Sequence, residues 1–269
     1  MKILVCGKQV PDFASIQMRE ETKSINRNTS GVINPFDLYA MEAANRIKDD
    51  FPKTKIYALT MGPEQGRDIL CALYALGADN CTLITDPAFS NADVQMTAFI
   101  IKKAINLIEK KTGIFDAIFC GCKTVDSGSL SFPPYLSECL NRGLVTHALS
   151  CEPYINTGKR TPSGLTITKE GDQSDQKYQI PFPCIVSFTR SSNSLRYPLI
   201  QKIIDAPDVV FQVFSSQTLF PDSIVPKPGI LVKSFKYRNS FKHRIIINME
   251  DEEESGRYLA KLLVKAHII

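Results

Sequence analysis

Four short segments of this 269-residue chain combine small residues, hydroxyls and backbone amides in a way that suits an anion. They are Cys6-Gly7-Lys8, the run Asn34, Pro35, Phe36 and Asp37, the turn Met61-Gly62-Pro63, and residues 121–132, which read GCKTVDSGSLSF. Small residues such as Gly121 and Gly128 allow the close backbone approach that a phosphate needs, and Thr124, Ser127, Ser129 and Ser131 bring hydroxyls to the same loop. The pattern stops short of a signature, because no G-x-G-x-x-G follows a strand and no Walker A run is present. Ser127-Gly128-Ser129 serves a tight turn as well as a phosphate, and Asp126 suits a ribose or a loop cap.

No catalytic constellation accompanies these segments. There is no G-x-S-x-G nucleophile elbow, and no pair of acids stands out at a strand end. Haem and iron–sulfur spacings are missing and the chain has no tryptophan, so redox chemistry here requires a bound cofactor. Cys120 and Cys122 are the one close cysteine pair, but zinc or disulfide exchange wants C-x-x-C with further ligands. No metal site is expected, and the three histidines are far apart in sequence.

Hydrophobic residues at 43%, charged residues at 22% and a net charge of +4 describe an ordinary globular chain. Nucleic acid is not an expected partner, since it wants a dense basic patch, and the densest charge run, residues 250–254, is acidic. The start MKILVCGK is too short in apolar residues for a secretory signal, which needs about 7–15. No run approaches the roughly 20 residues of a membrane span. The chain is therefore expected in the cytoplasm, without stable membrane association and with its eight cysteines as reduced thiols.

The elements that must position the four segments follow from periodicity. The first half alternates short apolar runs with helical patterns, as βαβ units do. Residues 3–6, 55–61, 81–85 and 117–120 read as strands. Asn34 is expected to cap a helix, with Pro35 at its first position and Asp37 near the positive end of its dipole. Ile69, Leu70, Leu73 and Leu76 line a second helix that stops at Gly77, and Val94, Ala98, Ile101, Ile105 and Ile108 line a third. A fourth restarts at Tyr135, after a loop running to Pro133-Pro134. This predicts a doubly wound, mainly parallel α/β sheet, whose ligands bind beyond the carboxyl ends of the strands.

From about Val145 the period changes. Residues 152–156, 165–169, 177–180 and 184–188 read as short strands, expected as hairpins added to the sheet. Residues 11–31 read as neither helix nor strand. After Ala206 the chain turns irregular and proline-rich, which suits a surface arm. A last helix carries Leu259, Leu262 and Leu263 on one face.

The residues also resemble a known family. The start MKILVCGKQVPD, then INPFDLYAMEAANRIKD, ALTMGPEQ, CALYALGADNCTLITDPAFSNAD, ITKEGDQSDQKYQIPFPCIVS and TRSSNSLRYPLIQKIIDA are similar, in order and spacing, to blocks of electron transfer flavoprotein beta subunits. The resemblance implies an adenine nucleotide alpha hydrolase-like fold over 1–206 and a C-terminal arm and helix over 207–269 that packs on an alpha subunit. It implies electron shuttling between a flavin dehydrogenase and an acceptor through an FAD held with that subunit. The beta pocket then holds AMP or, in bifurcating members, a second FAD. Its implied lining is Cys6, Asn34, Pro35, Phe36, Asp37, Met61, Gly121, Thr124, Asp126, Ser127, Gly128, Ser129 and Ser131. Leu195, Arg196, Tyr197 and Ile200 fall in the segment that recognises the dehydrogenase, with Ile200 at an apolar anchor.

Two departures from the family pattern stand out. Gly128 replaces an acid and Ser131 a glutamine, which shortens the reach of the loop's hydrogen-bonding groups. Asp205-Ala206-Pro207-Asp208 stands where lysines often cluster. The competing expectation is an adenine-nucleotide-binding regulator or an ATP-pyrophosphatase-like enzyme without flavin. The enzyme form wants a Ser-Gly-Gly loop after the first strand, and Cys6-Gly7-Lys8-Gln9 does not supply it.

Overall fold

The strand Lys2–Cys6, β1, has two apolar faces, and that places it at the centre. Ile3 and Val5 point to one side, Leu4 and Cys6 to the other, and all four are buried. The computed structural model of the chain describes residues 1–12, 18–19, 24–25, 31–158, 160–171, 173–191, 194–222, 224–230, 246–247 and 251–268.

After β1 come β2 (Gln9–Pro11), β3 (Met18–Arg19), β4 (Ser24–Ile25), β5 (Gly31–Ile33), α1 (Pro35–Asp50), β6 (Lys55–Met61), α2 (Gly66–Ala75), β7 (Asn80–Ile84), α3 (Val94–Thr112) and β8 (Ala117–Gly121). Then follow α4 (Phe132–Leu140), β9 (Gly143–Tyr154), β10 (Gly164–Lys169), β11 (Gln176–Pro181), β12 (Cys184–Phe188), α5 (Ile200–Asp205), β13 (Gln212–Phe214), α6 (Ser216–Leu219) and α7 (Glu252–Lys265). The main sheet runs β11-β10-β9-β12-β8-β1-β6-β7-β13. Pairing is parallel from β9 to β13 and antiparallel at β9–β10 and β10–β11. Helices α1 and α2 cover one face, and α3, α4 and α6 cover the other. The fold is the doubly wound α/β sheet read from the sequence.

Several boundaries differ from that reading. Strand β12 is not part of an added hairpin. It is a central parallel strand between β9 and β8, all five residues are buried, and Phe188 packs edge-on against Phe119 of β8 at 5.0 Å between centroids. A five-residue apolar run carries no mark of which strands it will neighbour. Strand β9 starts at Gly143, nine residues before the expected 152, because its bulge at His147 (φ +58°) breaks the alternation that would have revealed it. Helix α4 starts at Phe132 and takes Pro133 and Pro134 into its first turn, where a missing N–H is harmless. The stretch after Ala206 contributes β13 to the sheet edge. Most of residues 11–31 lies outside the described residues, although β3 and β4 form a small antiparallel pair within it.

The chain divides into two compact units, Met1–Lys233 and Ser234–Ile269. The second contains α7, which starts at the Asp251 cap and buries none of its residues.

Strand β13 and the helix after it are tied down by one carboxylate. Asp86 Oδ2 accepts from the Ser216 amide at 2.9 Å and its hydroxyl at 2.6 Å, while Oδ1 accepts from the Ala88 amide at 2.8 Å. The Ser216 hydroxyl, with those two amides, holds this carboxyl below the usual range. Asp86→Ala is expected to cost about 1–3 kcal/mol of stability. Hydrogen exchange would then quicken first at the β13 amides; unchanged protection there would show that β13 is held by its sheet pairing alone.

Candidate functional site

The chain leaves β1 to build β6 and β7 on one side, then returns through α3 to β8 on the other. That reversal makes the carboxyl ends of β1 and β8 the topological switch point, where such sheets bind ligands. A buried carboxylate welds the two ends together. Asp37 Oδ2 accepts from the Lys8 amide at 2.7 Å and Oδ1 from the Gly121 amide at 2.8 Å. Burial raises the Asp37 pKa to about 7 against the opposing pull of these amides, Asn34 and Lys8. Asn34 precedes α1 as expected, but its side chain caps no amide of the helix. It bonds the loop after β8 instead, donating to the Lys123 carbonyl at 2.9 Å and accepting from the Val125 amide at 3.2 Å. Asp37 stands in the first turn of α1 as expected, but the side chain expected of Asn34 as a cap is taken up by cross-strand ties, as are the Asp37 oxygens, because both side chains are buried and meet backbone groups beyond β1 and β8. Gly121 is required here, since a Cβ would meet Asp37 Oδ1 at 2.5 Å and Phe36 Cβ at 2.7 Å.

The loop from β8 to α4 is solvent-facing above this weld. Thr124 and Ser127 share a hydrogen bond of 2.8 Å, Ser127 accepts from the Ser129 amide at 3.4 Å and Ser129 from the Ser131 amide at 3.3 Å. Gly128 takes φ +65° with open space beside it. Asp126 is held below the usual carboxylate range: partial burial pushes it up, but Lys8 and Thr124 outweigh that. Ser131 precedes α4 without capping it, and the first turn carries no acid. Beneath lies Ser187, wholly buried, on the β12 face that α4 covers, with its hydroxyl unpaired. Cys6 and Cys120 lie side by side on that face, and burial pushes the Cys6 thiol up to about 12. They line the edge as inert apolar groups. Met61 ends β6 half-exposed, Phe36 lies under the Lys123 ammonium at 5.4 Å, and Pro35 is exposed. Small residues, the loop hydroxyls and an uncapped helix start beside one switch point fit a phosphate-bearing group.

A model of the electron transfer flavoprotein domain matches residues 22–208. The electron transfer flavoprotein subunit beta of Megasphaera elsdenii is 30% identical over 209 residues, covering 77% of this chain and 75% of that one. The chain belongs to the electron transfer flavoprotein beta-subunit family. Protein FixA of Azotobacter vinelandii is 30% identical over 274 residues, 98% of this chain and 95% of its own. Subunit CarD of the caffeyl-CoA reductase-Etf complex of Acetobacterium woodii is 27% identical over 274 residues, 100% of both chains.

In this beta-type chain the predicted recognition segment divides by direction. Arg196 turns inward: Nε donates to Glu42 Oε2 at 2.8 Å and Nη2 to Asp49 Oδ2 at 2.7 Å. Glu42 sits buried on α1, so this pairing clamps the segment to the same helix that carries Asn34 and Asp37. Leu195 borders an apolar cleft between α1 and α2. Tyr197 and Ile200 turn outward at 92% and 77% exposure, with Leu199, Ile203 and Ile204 beside them. The two sets of predicted residues, nucleotide edge and recognition segment, are not brought together; α1 links them. Among the described residues no helix is long and apolar enough to cross a membrane, and no metal-holding group of His, Cys, Asp and Glu occurs.

Glu42 and Ser187 escaped the sequence reading. Glu42 is an acid at a helical position flanked by the apolar Met41 and Ala43, and Ser187 is a lone hydroxyl in a buried strand, and both are signals of a required partner. The weld itself titrates. Folded Asp37 holds its proton to about pH 7 and an ordinary aspartate only to about 3.8, so across that window the folded chain binds more protons than the unfolded one. Its contribution is fully present below about pH 4 and declines as pH rises to about 7. Asp37→Asn is expected to flatten that slope and to cost about 1–3 kcal/mol, since its NH₂ confronts a buried amide donor. Denaturant unfolding from pH 4 to 8 checks both.

Proposed function

We propose that this chain is the beta subunit of a heterodimeric electron carrier whose alpha subunit holds an FAD. The carrier takes electrons from a flavin dehydrogenase and delivers them to an acceptor, and the chain has no turnover of its own. The family match carries the reading, because residues 22–208 take in Asn34 to Asp37, the loop at 121–132 and the recognition segment together. The switch-point edge holds an adenosine phosphate, either AMP or the adenylate half of a second FAD. With AMP the group is structural; a second FAD supplies the redox centre that bifurcation requires. Either way, the loop amides and the hydroxyls of Ser127 and Ser129 bind phosphate, while Asp37 and Asn34 hold the loop in register.

The exposed apolar strip on α5 supports docking on a dehydrogenase, since aliphatic and aromatic groups this exposed are typical of partner surfaces. The end-to-end likeness to a subunit of a reductase-Etf complex supports work inside a larger redox assembly. Eight free cysteines, most of them buried, support a cytoplasmic location.

Co-expression with an alpha subunit is expected to yield a yellow heterodimer, and counting the nucleotides released on denaturation separates one FAD plus AMP from two FAD. A pair isolated without flavin absorbance would sink the proposal. Ile200→Asp places a charge in the docking strip and is expected to slow flavin reduction by the dehydrogenase at least about ten-fold, because a charge desolvated without a partner is strongly penalised. Stopped-flow absorbance reads this, and an unchanged rate would remove Ile200 from the interface.

A further inference from the structure

An ion pair spans the switch-point edge. Lys8 Nζ lies 2.7 and 3.0 Å from the two carboxylate oxygens of Asp126, a residue 118 positions away. The root of Lys8 is fixed: its amide donates to Asp37 at 2.7 Å and its carbonyl accepts from the Asn34 amide at 2.9 Å. Its tip is free to exchange, with side-chain exposures of 44% for Lys8 and 28% for Asp126, and ion pairs this wet are weak. The loop that carries Asp126 leads into α4, whose start has neither a side-chain cap nor an acid in its first turn. Among the charged groups at this edge, Asp37 is occupied by two amides and Lys123 lies over Phe36, which leaves Lys8 as the cation placed to meet an incoming anion.

We propose that Lys8 is the phosphate clamp of this edge: on binding of an adenosine 5′-phosphate group, its ammonium passes from Asp126 to the phosphate. No bond is made or broken. The pair with Asp126 ties the loop to the end of β1 until the nucleotide arrives, and the exchange replaces a wet ion pair by a charge-assisted contact next to the helix start. The inference rests on the nucleotide reading above and adds a residue to it. The shared chemistry is the adenosine phosphate, whether AMP or FAD carries it.

The test compares the full chain, freed of bound nucleotide, with Lys8→Met and Lys8→Arg by calorimetric titration with AMP, FAD and adenosine. Whichever of AMP and FAD the unaltered chain binds more tightly identifies the source of the phosphate. Lys8→Met is expected to weaken that ligand about 10- to 100-fold, as loss of a charged hydrogen bond does, with adenosine changed less than about two-fold. Lys8→Arg should recover most of the loss. Equal weakening of adenosine and the phosphate ligand, or no weakening of either, would overturn the clamp while leaving the nucleotide site standing. Failure of the unaltered chain to bind any of the three would remove the site and the clamp together.

Discussion

The Asp37 carboxylate is the constraint on which the candidate site depends. It receives the amides of Lys8 and Gly121, the second residue beyond β1 and the last of β8, and so closes the gap that a topological reversal opens in the sheet. Buried and part-buried backbone donors need acceptors. One side chain with two oxygens does so. Burial opposes its charge, the amides favour it, and the compromise is a carboxyl that titrates near neutrality. Gly121 follows directly, since no other residue leaves room for the carboxylate beside it.

Helix α1 carries this weld at one end and the Arg196 clamp further along. Glu42 and Asp49 receive the guanidinium two and four turns on from Asn34, so the segment that presents Tyr197 and Ile200 is referenced to the same rigid rod as the loop after β8. The proposed cofactor edge and the proposed docking strip can thereby keep a fixed geometry without touching. The arrangement suits a carrier, in which the distance between redox groups matters more than any side-chain chemistry.

Much of the fold was legible from periodicity. The central apolar runs, the α1 start at Asn34-Pro35 and the α2 stop at Gly77 are local signals, and they stand where expected. The errors came where local signal and long-range pairing part company. Residues 184–188 are apolar whether they edge a hairpin or fill the sheet's middle, and only the partners β8 and β9 decide. His147 hid β9 by breaking its alternation, and β13 is three residues long, too short for any period to show.

The sequence by itself determined the alternating α/β plan, the small and hydroxyl-bearing character of the loop at residues 121–132, and, through blocks spread along the chain, the family. Those properties are written in residue types and near-neighbour spacing. Tertiary structure alone decided which polar groups remain available to a ligand. Asn34 and Asp37 look like helix-start residues in one dimension, yet folding brings them against loop amides 84 to 91 positions away, and those amides take up their oxygens. Lys8 looks like an ordinary surface lysine, and folding puts it at the switch-point edge facing Asp126. A hydrogen bond between distant residues has no spacing rule, so the chain order cannot announce it. The three-dimensional count of donors and acceptors does.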